Sequence, residues 1–228
     1  MEDGNTNKID KIVSENPELI NYQESKYGET LLMLTIMNQQ LKSFKALLKN
    51  GADVNIHDTF DGTSPLIEAC SYKFYNITFA KTLIEYGADV NDVETGERRK
   101  DNGTRLTPLI AASRKGRLKL VKFLVSKGAD VNYQNEFGQS ALSESVMVDE
   151  YKVAYYLLQN GADYNRPIYY RFDYSVPIEK SDPKDKGKPM YLWDVLKEDL
   201  SEFGTSEYKY KMRIIDFLKS KGLDITLD

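Results

Sequence analysis

The chain has 228 residues, with 31 Lys and Arg against 35 Asp and Glu, for a net charge of −4. That balance argues against nucleic acid or an anionic membrane as the main partner, since both demand a dominant basic face. The single cysteine, Cys70, excludes an internal disulfide and a multi-cysteine metal site, and no stretch approaches the roughly 18 apolar residues of a membrane span.

The polar, acidic N-terminus carries no apolar leader, which points to a soluble, cytoplasmic protein. Residues 9–14 read as a helix, and the segment 17–21 (Pro-Glu-Leu-Ile-Asn) follows it. From there a unit repeats. Gly-Ala-Asp-Val-Asn occurs at 51–55, 87–91 and 128–132, with a near copy, Gly-Ala-Asp-Tyr-Asn, at 161–165 and a degenerate Gly-Leu-Asp-Ile-Thr at 222–226. The glycines are separated by 36, 41, 33 and 61 residues, so the shortest interval approximates one unit and the longer ones carry insertions.

Each of the first four glycines closes an apolar run: Leu47-Leu48, Leu83-Ile84, Leu124-Val125 and Leu157-Leu158. This is a helix burying its last turn before a left-handed residue that only glycine adopts cheaply. The following Asp and Asn suit a tight turn held by local backbone bonds. The other half of the unit opens a second helix. Ser64-Pro65 and Thr107-Pro108 place a hydroxyl at the N-cap and proline at the first helical position, and Thr30 and Ser140 keep the cap without the proline. Small residues such as Ala69 and Ala112 follow, and Cys70 beside Ala69 reads as a buried filler.

Two loops break the period. Residues 92–105 contain Asn102-Gly103, a hairpin signal, and present Arg98, Arg99, Lys100 and Arg105 either to an acidic partner or to solvent. Residues 166–188 begin with Tyr169, Tyr170, Phe172 and Tyr174 and end as a polar, proline-containing tract. The aromatic half suits a strand or hairpin that either packs on the last repeats or offers a tyrosine-rich surface; the polar half suits a linker. Lys219 stands where earlier units place Leu48, Ile84, Val125 and Leu158, which marks 189–228 as a capping repeat and both ends as intact.

The segment 106–132, from Leu106-Thr-Pro-Leu through Gly-Ala-Asp-Val-Asn132, resembles an ankyrin repeat nearly position for position, with weaker copies over 5–165 and 189–226. The resemblance implies an all-α solenoid of about five repeats plus an N-terminal half-cap, with β-hairpin-like loops. It forms one domain: a cap at 1–27, repeats at 28–61, 62–102, 103–137 and 138–188, and the capping repeat. The family's usual histidine after Thr-Pro-Leu is replaced by Met33, Ile67, Ile110, Ser143 and Trp193, so its hydrogen bond is lost.

Ankyrin proteins bind other proteins along a concave side of loop tips and inner helices. Carried over here, the tips give Phe60, Tyr133 and Phe137, and the inner helices give Glu68, Tyr72, Arg114, Lys115, Glu144 and Met147. Phe60 and Phe137 also suit packing under their turns. The expected function is a non-enzymatic interaction module, monomeric by itself, acting as adaptor, inhibitor or sequestering subunit. No catalytic constellation, metal set or cofactor motif can be assembled; His57, the one histidine, falls in a solvated loop. The alternative is a small-ligand protein or hydrolase using the acidic row Glu68, Glu144 and Asp194 with the 166–188 loop.

Overall fold

The computed structural model describes residues 3–73, 75–96, 105–171 and 187–226, with side chains from residue 6 onward. The chain divides into two compact units, residues 1–112 with 123–129 and residues 113–122 with 130–228.

Helix α1 (Asp3–Glu15) and a short 3-10 turn (Pro17–Asn21) precede helices that come in pairs: α2 (Leu31–Met37) and α3 (Leu41–Lys49), α4 (Pro65–Ser71) and α5 (Ile77–Glu85), α6 (Pro108–Arg114) and α7 (Leu118–Ser126), and α8 (Ala141–Met147) and α9 (Tyr151–Gln159). Strands β1 (Tyr169–Arg171) and β2 (Lys188–Met190) follow, then α10 (Leu192–Glu198) and α11 (Ser206–Ser220). The first helix of each of the first four pairs starts on a hydroxyl cap. Thr30, Ser64, Thr107 and Ser140 accept from the backbone N–H three residues on, at 3.1–3.4 Å. Ser143 adds a return bond, accepting from Ser140 N at 2.7 Å, while Met33, Ile67 and Ile110 fill the equivalent places as buried apolar groups.

The second helix of each pair ends as the glycines require. Gly51, Gly87, Gly128, Gly161 and Gly222 lie at φ between +87° and +92°. A Cβ on Gly128 would meet nothing within 4 Å, so its requirement is backbone conformation alone. Gly128→Ala is expected to cost about 1 kcal/mol, the strain of a left-handed alanine, read as a small drop in the urea midpoint with unchanged slope.

The Asp and Asn that follow have different jobs. Asp53, Asp89, Asp130 and Asp163 each accept from the backbone N–H two residues on, which holds the turn locally. Asn reaches to the next repeat. In the first unit, Asn55 Nδ2 donates to Gly87 O at 3.5 Å and Asn91 Nδ2 to Gly128 O at 3.1 Å. In the second, Asn132 Nδ2 donates to Gly161 O at 3.0 Å and its Oδ1 accepts from Asp163 N at 2.8 Å. Asn21 accepts from Asp53 N at 2.9 Å, so the 3-10 turn supplies the half-cap's share of this staple. The sequence reading gave both side chains a local role; the asparagine one is corrected here, because its partner lies about one repeat away.

In the first unit the core runs through Leu32, Phe44, Leu66, Phe79 and Leu83, with Phe44 and Phe79 meeting edge to face at 4.9 Å and Cys70 buried. In the second it runs through Leu142, Val153, Leu157, Leu196, Ile214 and Leu218. β1 pairs antiparallel with β2, Tyr169 opposite Met190, so the described part of the 166–188 insertion begins and ends as a two-stranded ribbon. Arg171 grips Glu198 with both guanidinium arms, tying the ribbon to α10. Phe172 and Tyr174 lie outside the described residues.

Candidate functional site

Repeat tips are ordered by an acid or amide that collects backbone N–H groups. In the first unit Asp58 accepts from Phe60, Asp61, Gly62 and Thr63 at 2.7–3.2 Å. Phe60 is half-buried and meets Tyr27 edge to face at 5.3 Å, so it packs under its tip. Tyr72 is half-buried at the C-cap of α4, and Arg105 is exposed just before α6. Arg98, Arg99 and Lys100 lie outside the described residues.

Glu68 sits in the first turn of α4, and burial pushes its carboxyl up to about 7, reinforced by the charges of Glu29, Asp58, Glu94 and Asp61. Glu94 is itself buried, accepting from Leu106 N at 3.0 Å and from the Thr63 hydroxyl at 3.3 Å. His57 is not the solvated histidine expected. Its ring nitrogens lie 3.0 Å from Asp92 and 3.0 Å from Thr95, and the Asp92 carboxylate raises its pKa. It bridges two loops, with its side chain 18% exposed.

In the second unit Asn135 organises the tip, accepting from Phe137 N and Gln139 N at 3.0 and 2.9 Å. Tyr133 is half-buried on this tip and Phe137 is 45% exposed. Arg114 Nε donates to Glu144 Oε2 at 2.5 Å, joining α6 to α8 through residues of the one unit. Lys115 is exposed beside it, and Met147 at the end of α8 is 52% exposed. The expected row of equivalent acids therefore splits. Glu68 is desolvated and close to neutral pH in its titration, Glu144 is an ion-pair partner, and Asp194 accepts from Tyr191 N at 3.0 Å as a helix cap. Among the described residues no group of three His, Cys, Asp or Glu is placed to hold a metal ion, and no helix is long and apolar enough to cross a membrane.

Sequence reasoning missed one exposed feature. Between α10 and α11, Leu200 and Phe203 are 93% and 89% exposed, the most exposed large apolar side chains described. Their loop is anchored at its base: the buried Lys211 donates to Asp199 O at 2.6 Å and pairs with its carboxylate at 3.2 Å. An isolated Leu and Phe in a polar stretch carry no periodic signal, so only the exposure reveals them.

The family described as ankyrin repeats (3 copies) matches residues 1–94 and 92–168. Neurogenic locus notch homolog protein 1 of Xenopus laevis is 32% identical over 162 residues, which cover 71% of this chain and 6% of that protein. The human protein of the same name is 33% identical over 141 residues, 62% of this chain and 5% of that protein, and human neurogenic locus notch homolog protein 2 is 31% identical over 165 residues, 71% and 6%. The chain thus spans only about 6% of the length of the relatives it matches.

Proposed function

The chain belongs to the ankyrin repeat family, an all-α solenoid class of protein-interaction modules, and on that premise we propose that it is a non-enzymatic cytoplasmic binder that occupies one surface of a partner protein. The contact surface in the second unit is the tip around Phe137 together with Lys115 and Met147. One observation carries this reading: Phe137 and Met147 keep about half of their area in water on a repeat whose tip Asn135 holds by two backbone bonds. An ordered tip that offers an aromatic, a methionine and a cation pays little conformational entropy on docking. Arg114 takes part mainly by its pairing with Glu144, which ties the end of α6, just before Lys115, to α8, which carries Met147.

The test uses the protein that co-purifies with the full chain from its native cell. Replacing Lys115, Phe137 and Met147 together by alanine is expected to weaken that binding at least tenfold by isothermal titration. The circular dichroism spectrum and Tm stay as they are, because all three side chains are exposed. Full affinity in a well-folded triple variant would place the contact elsewhere.

A further inference from the structure

In the second unit a row of cations lies on aromatic rings across α7, α9 and α11. Lys122 of α7 holds its ammonium 5.4 Å from the centre of the Tyr156 ring of α9. Lys152 of α9 and Arg213 of α11 cover the Tyr210 ring at 5.6 and 5.0 Å, and the Tyr155 ring lies 6.1 Å from it. Lys221 lies 5.4 Å from Phe217, whose ring meets Tyr164 edge to face at 6.3 Å. Tyr210, Arg213, Phe217 and Lys221 follow one another at helical spacing, so they stand along one side of α11 and its C-cap.

The cations of this row have no counter-ion. Lys122, Lys152, Arg213 and Lys221 are all exposed, and none pairs with a carboxylate among the described residues. Other cations of the unit differ: Arg114, Arg166, Arg171 and Lys211 each hold a carboxylate. Neither α7 nor α9 contains an acid, and Glu207 and Asp216 are the acids of α11. The net charge of −4 therefore conceals a local excess of positive charge.

A cation seated on a ring is already partly ordered, so pairing with an anion costs it less side-chain entropy than a free lysine would lose. The same seating decides which polyanion fits. Single-stranded nucleic acid needs open aromatic faces on which to stack its bases. Here Tyr210 is covered by two cations, and Tyr156 and Phe217 each lie under one. Carboxylates need only the cations.

We propose that this row docks an acidic segment of a partner protein, with Asp and Glu side chains paired to Lys122, Lys152, Arg213 and Lys221. Helices packed about 10 Å apart make the row from α7 to α11 about 20 Å long, which about six residues of extended chain cover. None of the four cations belongs to the tip contact of Lys115, Phe137 and Met147, so this is a second contact and does not rest on the first.

The experiment is an anisotropy titration of the full chain against fluorescein-labelled decaglutamate, with decaglutamine and a single-stranded oligouridine of equal length as comparisons. At low salt, saturable decaglutamate binding tighter than about 100 μM is expected. It weakens about tenfold or more at about 0.5 M salt, and decaglutamine does not bind. Replacing Lys122, Lys152, Arg213 and Lys221 together by glutamine is expected to weaken decaglutamate about tenfold or more. The circular dichroism spectrum stays unchanged, since all four are exposed. Glutamine at four exposed lysines of the first unit, Lys8, Lys26, Lys45 and Lys49, is expected to change binding less than about twofold, which separates the row from net charge. Amide shifts along α9 and α11 on addition of decaglutamate give a readout that needs no variant. No saturation up to about 1 mM overturns the proposal. So does a row variant that binds like the parent, or a first-unit variant that loses as much as the row variant. Oligouridine binding tighter than decaglutamate overturns it as well and assigns the row to nucleic acid. The tip reading survives each of these failures, because its test uses the co-purifying protein and other residues.

Discussion

Glu68→Gln is expected to stabilise the protein at pH 8 by about 2–3 kcal/mol and to cost about 1 kcal/mol at pH 4, where the carboxyl is protonated in both states. The folded carboxyl titrates at about 7 against an ordinary 4.5, with burial the leading cause and four neighbouring acids adding to it. Below the ordinary value both states hold the proton and the group contributes nothing to pH dependence. As pH rises from there, the unfolded chain releases its proton while the folded one retains it. Stability falls through this window and becomes flat once the folded group has ionised, above about 7. Each pH unit within the window is worth about 1.4 kcal/mol. Glutamine removes the penalty but must place its own amide, which offsets about 1 kcal/mol of the gain. Urea denaturation of both proteins from pH 4 to 9 gives the difference curve. His57, whose pKa the Asp92 hydrogen bond raises, also lends stability that fades as pH rises, but it is common to both proteins and drops out of the difference. A difference that is constant across the series would show that Glu68 is not desolvated.

The same glutamate shows where reading the sequence stops. Gly51, Gly87, Gly128, Gly161 and Gly222 announce helix ends because left-handed φ is written into residue type, and Ser64-Pro65 and Thr107-Pro108 announce helix starts because caps are local. Asn21 could be placed as the half-cap's counterpart from its position after Pro17 alone. These signals act within one turn of chain. Glu68, Glu144 and Asp194 look equivalent at that range, yet burial with the charges of Glu29, Asp58, Glu94 and Asp61 sets the first apart and Arg114, 30 positions back, the second, while the cap that Asp194 gives Tyr191 N is local. His57 likewise reads as a loop residue until Asp92 and Thr95 from the next loop close on it. Of the candidate surface, the tips were legible as tips. Which tip aromatic packs, as Phe60 does on Tyr27, and which stays in water, as Phe137 does, depends on a neighbour that the local pattern does not name.

Lys211→Met is expected to cost about 3 kcal/mol or more. Lys211 is 5% exposed on α11, and its ammonium meets both the carbonyl and the carboxylate of Asp199. Methionine fills the space of the lysine stem, so little packing is lost. The cost arises at Asp199, whose side chain is 13% exposed and keeps only neutral donors such as the Ser201 hydroxyl. A buried charge stripped of its counter-ion is the expensive case, whereas removal of both charges is far cheaper. Adding Asp199→Asn to Lys211→Met is therefore expected to recover at least half of the loss. Tyr151 works in the same direction: it is buried at 1% exposure, and burial together with Asp199 and Asp149 keeps its phenol protonated and able to donate. Thermal melts of the two variants decide the matter, since about 3 kcal/mol corresponds to a drop of roughly 6–12 °C in a chain of this size. A lysine variant that melts with the parent would mean that the pair is worth no more than a surface bridge. A double variant no better than the single would assign the loss to packing. In the expected case Lys211 is the clamp that sets the base of the 199–205 loop, which leaves Leu200 in water and Phe203 exposed while its ring meets Tyr208 of α11 edge to face at 5.2 Å.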